Sequence, residues 1–267
     1  MEKIGLIAGN RKFPLVVAQG AKRNNLQIVA VAIKCDTSPK LKQYVDKIYW
    51  IGLGELTRMC EIFRQEGIRK VVMAGQISPQ RLFSKEVTRS EELKNLLDSL
   101  KDKKAGSIFE AVARKLEEFQ IELLDSTVFV REFLPKKGTL TLRPPDFSDW
   151  EDIHFGFDLA KEIARLDIGQ TVAVKSKAVV AVEALEGTDN LIRRAGKISG
   201  GAFLLIKVSR PRQDMRFDIP VVGLNTVRNL IKAHAKLLAI EAEKTLFIDL
   251  KESINLADRK GLVLIAL

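Results

Sequence analysis

The first half of the chain alternates short apolar runs with stretches of helical spacing. "KIGLIAG" reads as a buried strand closed by glycine, and "PLVVAQGAKRN" as the helix that follows it. "QIVAVAIKC" and "DKIYWIG" are second and third apolar runs. "ELTRMCEIFRQEG" carries apolar residues at helical spacing and ends at Gly67, a residue suited to a helix C-cap. "KVVMAGQI" reads as a fourth strand, "GSIFEAVARKLEEFQ" as a helix and "IELLDSTVFV" as a further strand-like run. Strands separated by helices predict a parallel sheet covered on both faces.

The texture then changes. "LPKKGTLTLRPPDFSDW" contains Pro135, Gly138, Pro144 and Pro145 with little periodicity, which signals a hinge over about residues 135–146. Beyond it, "WEDIHFGFDLAKEIARL" predicts a helix and "QTVAVKSKAVVAVEAL" a hairpin or two adjacent strands. "GAFLLIKVS" follows as a strand, "NTVRNLIKAHAKLL" as a helix, and "KTLFIDL" and "GLVLIAL" as strands. The expected architecture is α/β in two domains. A Rossmann-like parallel sheet spans residues 1–134, and an α/β domain with a mixed sheet spans 135–267.

With 46% hydrophobic residues in 267, the chain can bury a sizeable core. The longest stretch free of charge and proline, Asn24 to Ile33, is too short to span a bilayer, and Gly5, Gly9, Arg11 and Lys12 break up any leader-like start. A soluble, cytoplasmic protein is expected. Cys35 and Cys60 lack metal-binding spacing and read as core residues. The net charge of +10 is uneven: seven Lys or Arg and one acid, Asp214, lie between Arg193 and Arg216. Such a segment favours phosphate esters or an anionic lipid surface. With 6% aromatics and no nucleic-acid-binding motif, no nucleic-acid partner is expected.

Two loops of small residues end predicted strands, "GLIAGNRKFP" around Gly9 and Asn10, and "AGQIS" (Ala74 to Ser78) around Gly75 and Gln76. Strand ends of open α/β sheets are where ligands bind, and helix N-termini attract phosphate. Neither loop is GxGxxG, and no P-loop is present. The only histidines, His154 and His234, fall inside predicted helices, which leaves carboxylates for the chemistry. Glu183, Glu186 and Asp189 surround Gly187 and Thr188, and Asp214 and Asp218 lie in "RQDMRFDIP". Oxygen-rich, histidine-poor clusters suit Mg²⁺ or Mn²⁺. Two plainer readings stand beside this one. Thr188 caps a helix through "DNLIRRAG", with the acids near its N-terminus. Asp218 pairs with Arg212, or with Arg216 on the same face of a strand.

The order "ARLDIGQ", "AVEALEGTDNLIRR" and "QDMRFDIPVVGLNT", preceded by the two glycine loops, resembles the LpxI family of UDP-2,3-diacylglucosamine pyrophosphatases over essentially the whole chain. The resemblance implies metal-dependent cleavage of UDP-2,3-diacylglucosamine to UMP and 2,3-diacylglucosamine 1-phosphate, a step in lipid A biosynthesis, with water attacking the sugar-side phosphorus. It implies a homodimer of two-domain chains at the cytoplasmic face of the inner membrane. It makes Asp218 the essential aspartate, with a Mg²⁺ or Mn²⁺ ion as its partner. On the matching segments, Glu183 and Asp189 are expected to join Asp218 in the chemistry, and Glu186 to join it in holding metal. Gly9, Asn10, Gly75, Gln76, Gln170, Gly187, Thr188, Arg194 and Arg216 are expected to contact substrate. The chemistry agrees: a bound divalent ion neutralises diphosphate charge and activates water, and a carboxylate accepts its proton. The rival readings are a nucleotide- or nicotinamide-dependent enzyme on the Rossmann-like sheet, and a non-enzymatic two-domain lipid carrier.

Overall fold

The computed structural model describes residues 2–77, 81, 90–100, 102 and 105–267. They form two compact units. The first holds the chain up to Arg131 together with Asp214–Asp218, and the second holds Glu132–Gln213 and Ile219–Leu267. Residues 214–218 lie C-terminal to the expected boundary yet belong to the first unit.

In the first unit, β1 (Lys3–Ala8), β2 (Gln27–Ile33), β3 (Lys47–Ile51), β4 (Lys70–Ala74) and β5 (Glu122–Leu123) form one sheet in the order β3-β2-β1-β4-β5. Every pairing is parallel. Helices α1 (Phe13–Arg23), α2 (Leu56–Gln65), α3 (Glu91–Ser99) and α4 (Ala105–Glu118) accompany it. Ile7, Val29, Val31 and Val71 from the sheet pack with Met59, Cys60 and Phe63 of α2 and Val112 and Leu116 of α4. The apolar runs are continuous because both faces of a parallel sheet are covered. Gly67 ends α2 at φ +70°, with Ile68 N–H donating to Phe63 O at 2.8 Å. The strand-like run at "IELLDSTVFV" is paired only over Glu122–Leu123. Asp125 breaks it by accepting Thr127 N–H and Oγ1–H at 2.7 and 2.6 Å, an Asx turn that competes with strand pairing.

The second unit contains β6 (Gly138–Thr139), α5 (Phe147–Arg165), β7 (Thr171–Lys175), β8 (Ala178–Val182), α6 (Thr188–Ser199), β9 (Leu204–Lys207), β10 (Val221–Gly223), α7 (Leu224–Lys232), β11 (Leu237–Ile240), β12 (Leu246–Ile248), α8 (Leu250–Lys260) and β13 (Val263–Ala266). Its main sheet runs β6-β13-β11-β9-β7-β8. The inner strands β9, β11 and β13 are parallel, and the flanking pairings are antiparallel, so the sheet is mixed as expected. Alternation along β9 sorts the core: Leu204 and Ile206 face Ile153, Ala160 and Ile163 of α5, while Leu205 packs with Leu191 and Ile192 of α6 and Leu230 of α7. The hairpin turn Ser176–Lys177 has φ of +51° and +55°, and both its N–H groups donate to Asp152 at 2.8 and 2.6 Å.

Residues 135–146 lie in the second unit, where β6 pairs with β13 and Leu142 N–H donates to Asp258 at 2.8 Å. Several expectations change here. The helix expected through "NTVRNLIKAHAKLL" stops at Lys232, His234 takes φ +56°, and Leu237 and Leu238 begin β11. His234 is therefore not helical, and both histidines are exposed. Cys35 is exposed in a left-handed turn instead of buried. Cys60 is buried, and burial pushes its thiol up to about 11. Helices α3 and α8, unassigned from the pattern, are short polar helices with one buried stripe each.

Candidate functional site

In the first unit the chain winds from β1 to β2 and β3 on one side, then returns to β4 on the other. The carboxyl ends of β1 and β4 are thus the switch point of the sheet, where a crevice opens. Both glycine loops lie there. Gly9 N–H donates to Ala74 O and Asn10 N–H to Gln76 O, each at 2.8 Å, and Asn10 and Gln76 form an isolated bridge. A Cβ on Gly9 would stand 2.7 Å from Gln76 O, and one on Gly75, at φ +89°, 2.6 Å from Asn10 O. Only glycine permits this approach. Ser78, the last residue of "AGQIS", lies outside the described residues.

Asp214–Asp218 reach the same edge. Ser126 N–H donates to Met215 O at 2.8 Å, and its hydroxyl lies 2.6 Å from both Arg216 O and Met73 O, the latter on β4 one residue before its end. Phe217 is buried in the first unit's core and stacks on Phe109 with ring centroids 5.2 Å apart. Asp218 follows this anchor, half-buried, at φ +56°. The segment is a turn and not a strand. Arg216 does not face Asp218: its guanidinium grips Asp214, with Nη2 to Oδ2 at 2.8 Å. The Arg216 hydrogen bond holds the Asp214 carboxyl below its ordinary value, and Asp214 raises Arg216 in return.

In the second unit, the end of β8, the start of β7 and the carboxyl end of β9 meet the N-terminus of α6. Lys207, the last residue of β9 and only 6% exposed, sits 3.2 Å from Thr171 Oγ1, 3.0 Å from Thr188 Oγ1 and 3.7 Å from Glu183 Oε2. Glu183 also accepts the Thr188 hydroxyl at 2.7 Å. Gln170 precedes Thr171, and its carbonyl takes the Val208 N–H at 2.9 Å. Thr188 does not cap the helix. The N-cap is Gly187 at φ +78°, and Thr188 is the first helical residue, its hydroxyl drawn to Glu183. Asp189 accepts from Asn229 at 2.9 Å and Asn225 at 3.4 Å. Glu186 pairs with Arg194, which also donates to Val182 O at 2.8 Å. Burial pushes Glu186 upward, but the Arg194 hydrogen bond and charge and the backbone N–H donors together outweigh it and hold the carboxyl below its ordinary value.

The expected site residues thus fall into two sets. Gly9, Asn10, Gly75, Gln76, Arg216 and Asp218 gather at the carboxyl edge of the first sheet. Gln170, Glu183, Glu186, Gly187, Thr188, Asp189 and Arg194 gather around one helix start in the second unit. Among the described residues no three His, Cys, Asp or Glu side chains come together to hold a metal. The donor chemistry fits an ion that takes one or two carboxylates from the chain and the rest from water and phosphate oxygens, which is the habit of Mg²⁺. The Glu186 carboxylate is engaged by Arg194 and the Ala184 N–H. The sequence reading missed Lys207. Its signal was a lone charge inside the apolar run "GAFLLIKVS", which a strand buries only when paired.

The sequence matches the model of the LpxI N-terminal domain over residues 3–133 and that of the LpxI C-terminal domain over residues 136–265. A relative from Caulobacter vibrioides, named UDP-2,3-diacylglucosamine pyrophosphatase LpxI, is 30% identical over 274 residues, covering 98% of this chain and 96% of that protein. Among solved structures, the biotin carboxylase domain of Hydrogenobacter thermophilus 2-oxoglutarate carboxylase is 17% identical with a TM-score of 0.30, over 75% of this chain and 42% of that one. The biotin carboxylase subunit of a pyruvate carboxylase is 12% identical with a TM-score of 0.28, over 75% and 42%. The chain spans less than half the length of those two, and likeness at this level carries no argument.

Proposed function

The chain belongs to the LpxI family, and on that premise we propose that it hydrolyses the diphosphate of UDP-2,3-diacylglucosamine, releasing UMP and 2,3-diacylglucosamine 1-phosphate in lipid A biosynthesis. The observation that supports this most is Asp218, held after the buried Phe217 at the edge where the Gly9 and Gly75 loops meet. An aspartate anchored beside glycine-lined loops at a switch point suits a diphosphate ligand.

In this reading the backbone of the two glycine loops takes phosphate oxygens at the carboxyl edge of the first sheet. Arg216 and Arg194 bring positive charge to the two edges. Asp218 holds a Mg²⁺ or Mn²⁺ ion, which when bound neutralises diphosphate charge and acidifies water. Water forms a bond to the sugar-side phosphorus, the bond to the bridging oxygen breaks, and that oxygen leaves with UMP. The water's proton passes to a carboxylate of the set Asp218, Glu183 and Asp189. The reading includes a cytoplasmic homodimer in peripheral contact with the inner membrane, where a diacylated substrate resides. Among the described residues no helix is long and apolar enough to cross a membrane.

The test is UMP release from UDP-2,3-diacylglucosamine by wild type and Asp218→Asn, with EDTA and with Mg²⁺ or Mn²⁺ restored. EDTA should stop turnover, and the variant should lose more than roughly 100-fold, beyond the loss typical of groups behind a metal ligand. In ¹⁸O-water the label should enter the lipid 1-phosphate and not UMP. Turnover that survives chelation sinks the metal reading, and label in UMP reverses the attacked phosphorus. Binding of nicotinamide nucleotide, or of lipid without UMP release, would favour the two rivals.

A further inference from the structure

The excursion that carries Asp218 leaves the second unit after Gln213 and re-enters it at Ile219. Within the second unit, the residues before and after it are tied to one short connection, Glu241 to Leu246, which joins β11 to β12. On the outgoing side, Ser209 N–H and its hydroxyl donate to Glu241 Oε2 at 2.9 and 2.8 Å. On the returning side, Leu246 N–H donates to Pro220 O at 2.9 Å, and β10 continues in parallel register with β12 from Val221 opposite Leu246. Glu241 is 7% exposed and Ser209 is fully buried.

The carboxylate is held firmly. Lys161 of α5 reaches Glu241 Oε2 at 2.9 Å and Oε1 at 3.1 Å, and Lys244 reaches Oε1 at 2.8 Å. Lys161 also donates to Ser209 O at 3.0 Å, so α5, β11 and the outgoing loop close on one another. Arg210 extends the grip to Asp167 at 2.6 Å, and its N–H donates to the Gln213 side chain at 3.2 Å. A buried charge is expensive unless fully paired, and this one is paired on both oxygens. Simple packing of a β11 end does not require a carboxylate here. Clamping the backbone of a loop does, because only an acceptor answers both the N–H and the hydroxyl of Ser209.

We propose that Glu241 is a positioning residue for Asp218: it fixes where the chain leaves the second unit, and with the Pro220–Leu246 bond it sets both legs of residues 210–219. This rests on the hydrolase reading for Asp218. Without the carboxylate the outgoing leg loosens, and the approach of Asp218 to the reacting phosphate becomes a minor state. Small misplacements of that kind lower turnover more than binding.

The test compares wild type, Glu241→Gln and Ser209→Ala by hydrogen exchange and by steady-state kinetics on UDP-2,3-diacylglucosamine. Glu241→Gln should raise amide exchange at least tenfold across residues 209–219 while the β1 and β4 amides stay protected. It should lower kcat at least tenfold with KM within threefold. Ser209→Ala removes only the hydroxyl bond and should show the same pattern, more weakly. Unchanged exchange in the excursion with unchanged kcat overturns the proposal. Loss of kcat without any change in exchange also overturns it, because Glu241 would then act by another route. If Glu241→Gln fails to fold, Ser209→Ala decides alone. If wild type does not hydrolyse the substrate, the hydrolase reading fails, and the exchange arm still decides whether Glu241 holds the excursion.

Discussion

The two units build their carboxyl edges by opposite means. In the first, backbone meets backbone: Gly9 and Gly75 let the β1 and β4 loops touch, and the bonds join amide to carbonyl. In the second, side chains meet side chains: Lys207 joins Thr171, Thr188 and Glu183, and Glu241 joins Lys161, Lys244 and Ser209. A backbone-built edge tolerates no added carbon. A charge-built edge tolerates no lost partner, since each orphaned ion keeps its desolvation cost.

The sharpest way to break the second edge is Lys207→Met. The methionine fills similar volume but leaves Glu183 beside α6 without its cation. The second unit should lose about 3–5 kcal/mol, as when one partner of a buried pair is removed. Urea melting that follows the second unit checks this, and a loss below about 1 kcal/mol would mean that Lys207 is spare. A double variant, Lys207→Met with Glu183→Gln, should recover part of the loss.

The first edge breaks under addition. Gly9→Ala puts a Cβ 2.7 Å from Gln76 O, and Gly75→Ala adds strain at φ +89°. Each should cost about 1–3 kcal/mol, the usual range for overpacking. Amide exchange at Asn10 and Gln76 should rise in step. Alanine variants as stable as wild type would show that the loops do not need their close approach.

Acid sharpens the contrast by a smaller amount. Burial pushes Glu241 upward, but the hydrogen bonds from Lys244, Lys161 and Ser209 outweigh it, so its carboxyl drops from the ordinary 4.5 to about 2 in the fold. A lowered folded value means the carboxylate stabilises the fold fully above 4.5, and that contribution disappears as pH falls from 4.5 towards 2. The second unit's melting temperature should decline through that window, and Glu241→Gln should flatten the decline. The contact between the Gly9 and Gly75 loops joins amide to carbonyl, so amide protection at Gly9 and Asn10 should follow pH least.

Legibility followed the range of the interaction. The strand-loop-helix rhythm of the first unit was readable because burial on both faces makes apolar runs continuous and glycine marks the turns. The hairpin at Ser176–Lys177 was readable for the same local reason. The run at "IELLDSTVFV" misled because an Asx turn at Asp125 outcompetes strand pairing where the sheet has no further neighbour. "NTVRNLIKAHAKLL" misled because helix and strand share one apolar stretch, and the break at His234 depends on a left-handed residue that no apolar period announces.

The sequence by itself determined the alternating α/β class, the two glycine loops, the acid-rich start of α6 and the ordered motifs that mark the family. These are signals within a few residues of one another, set by side-chain period, backbone freedom and local charge. Only the tertiary structure decided that residues 214–218 join the first unit, that Arg216 turns to Asp214 and away from Asp218, and that Lys207 and Glu241 become the paired charges of the second. Those outcomes depend on which distant element supplies a partner when a charge leaves water. A lysine or glutamate in the sequence carries the cost of burial but not the address of the group that offsets it.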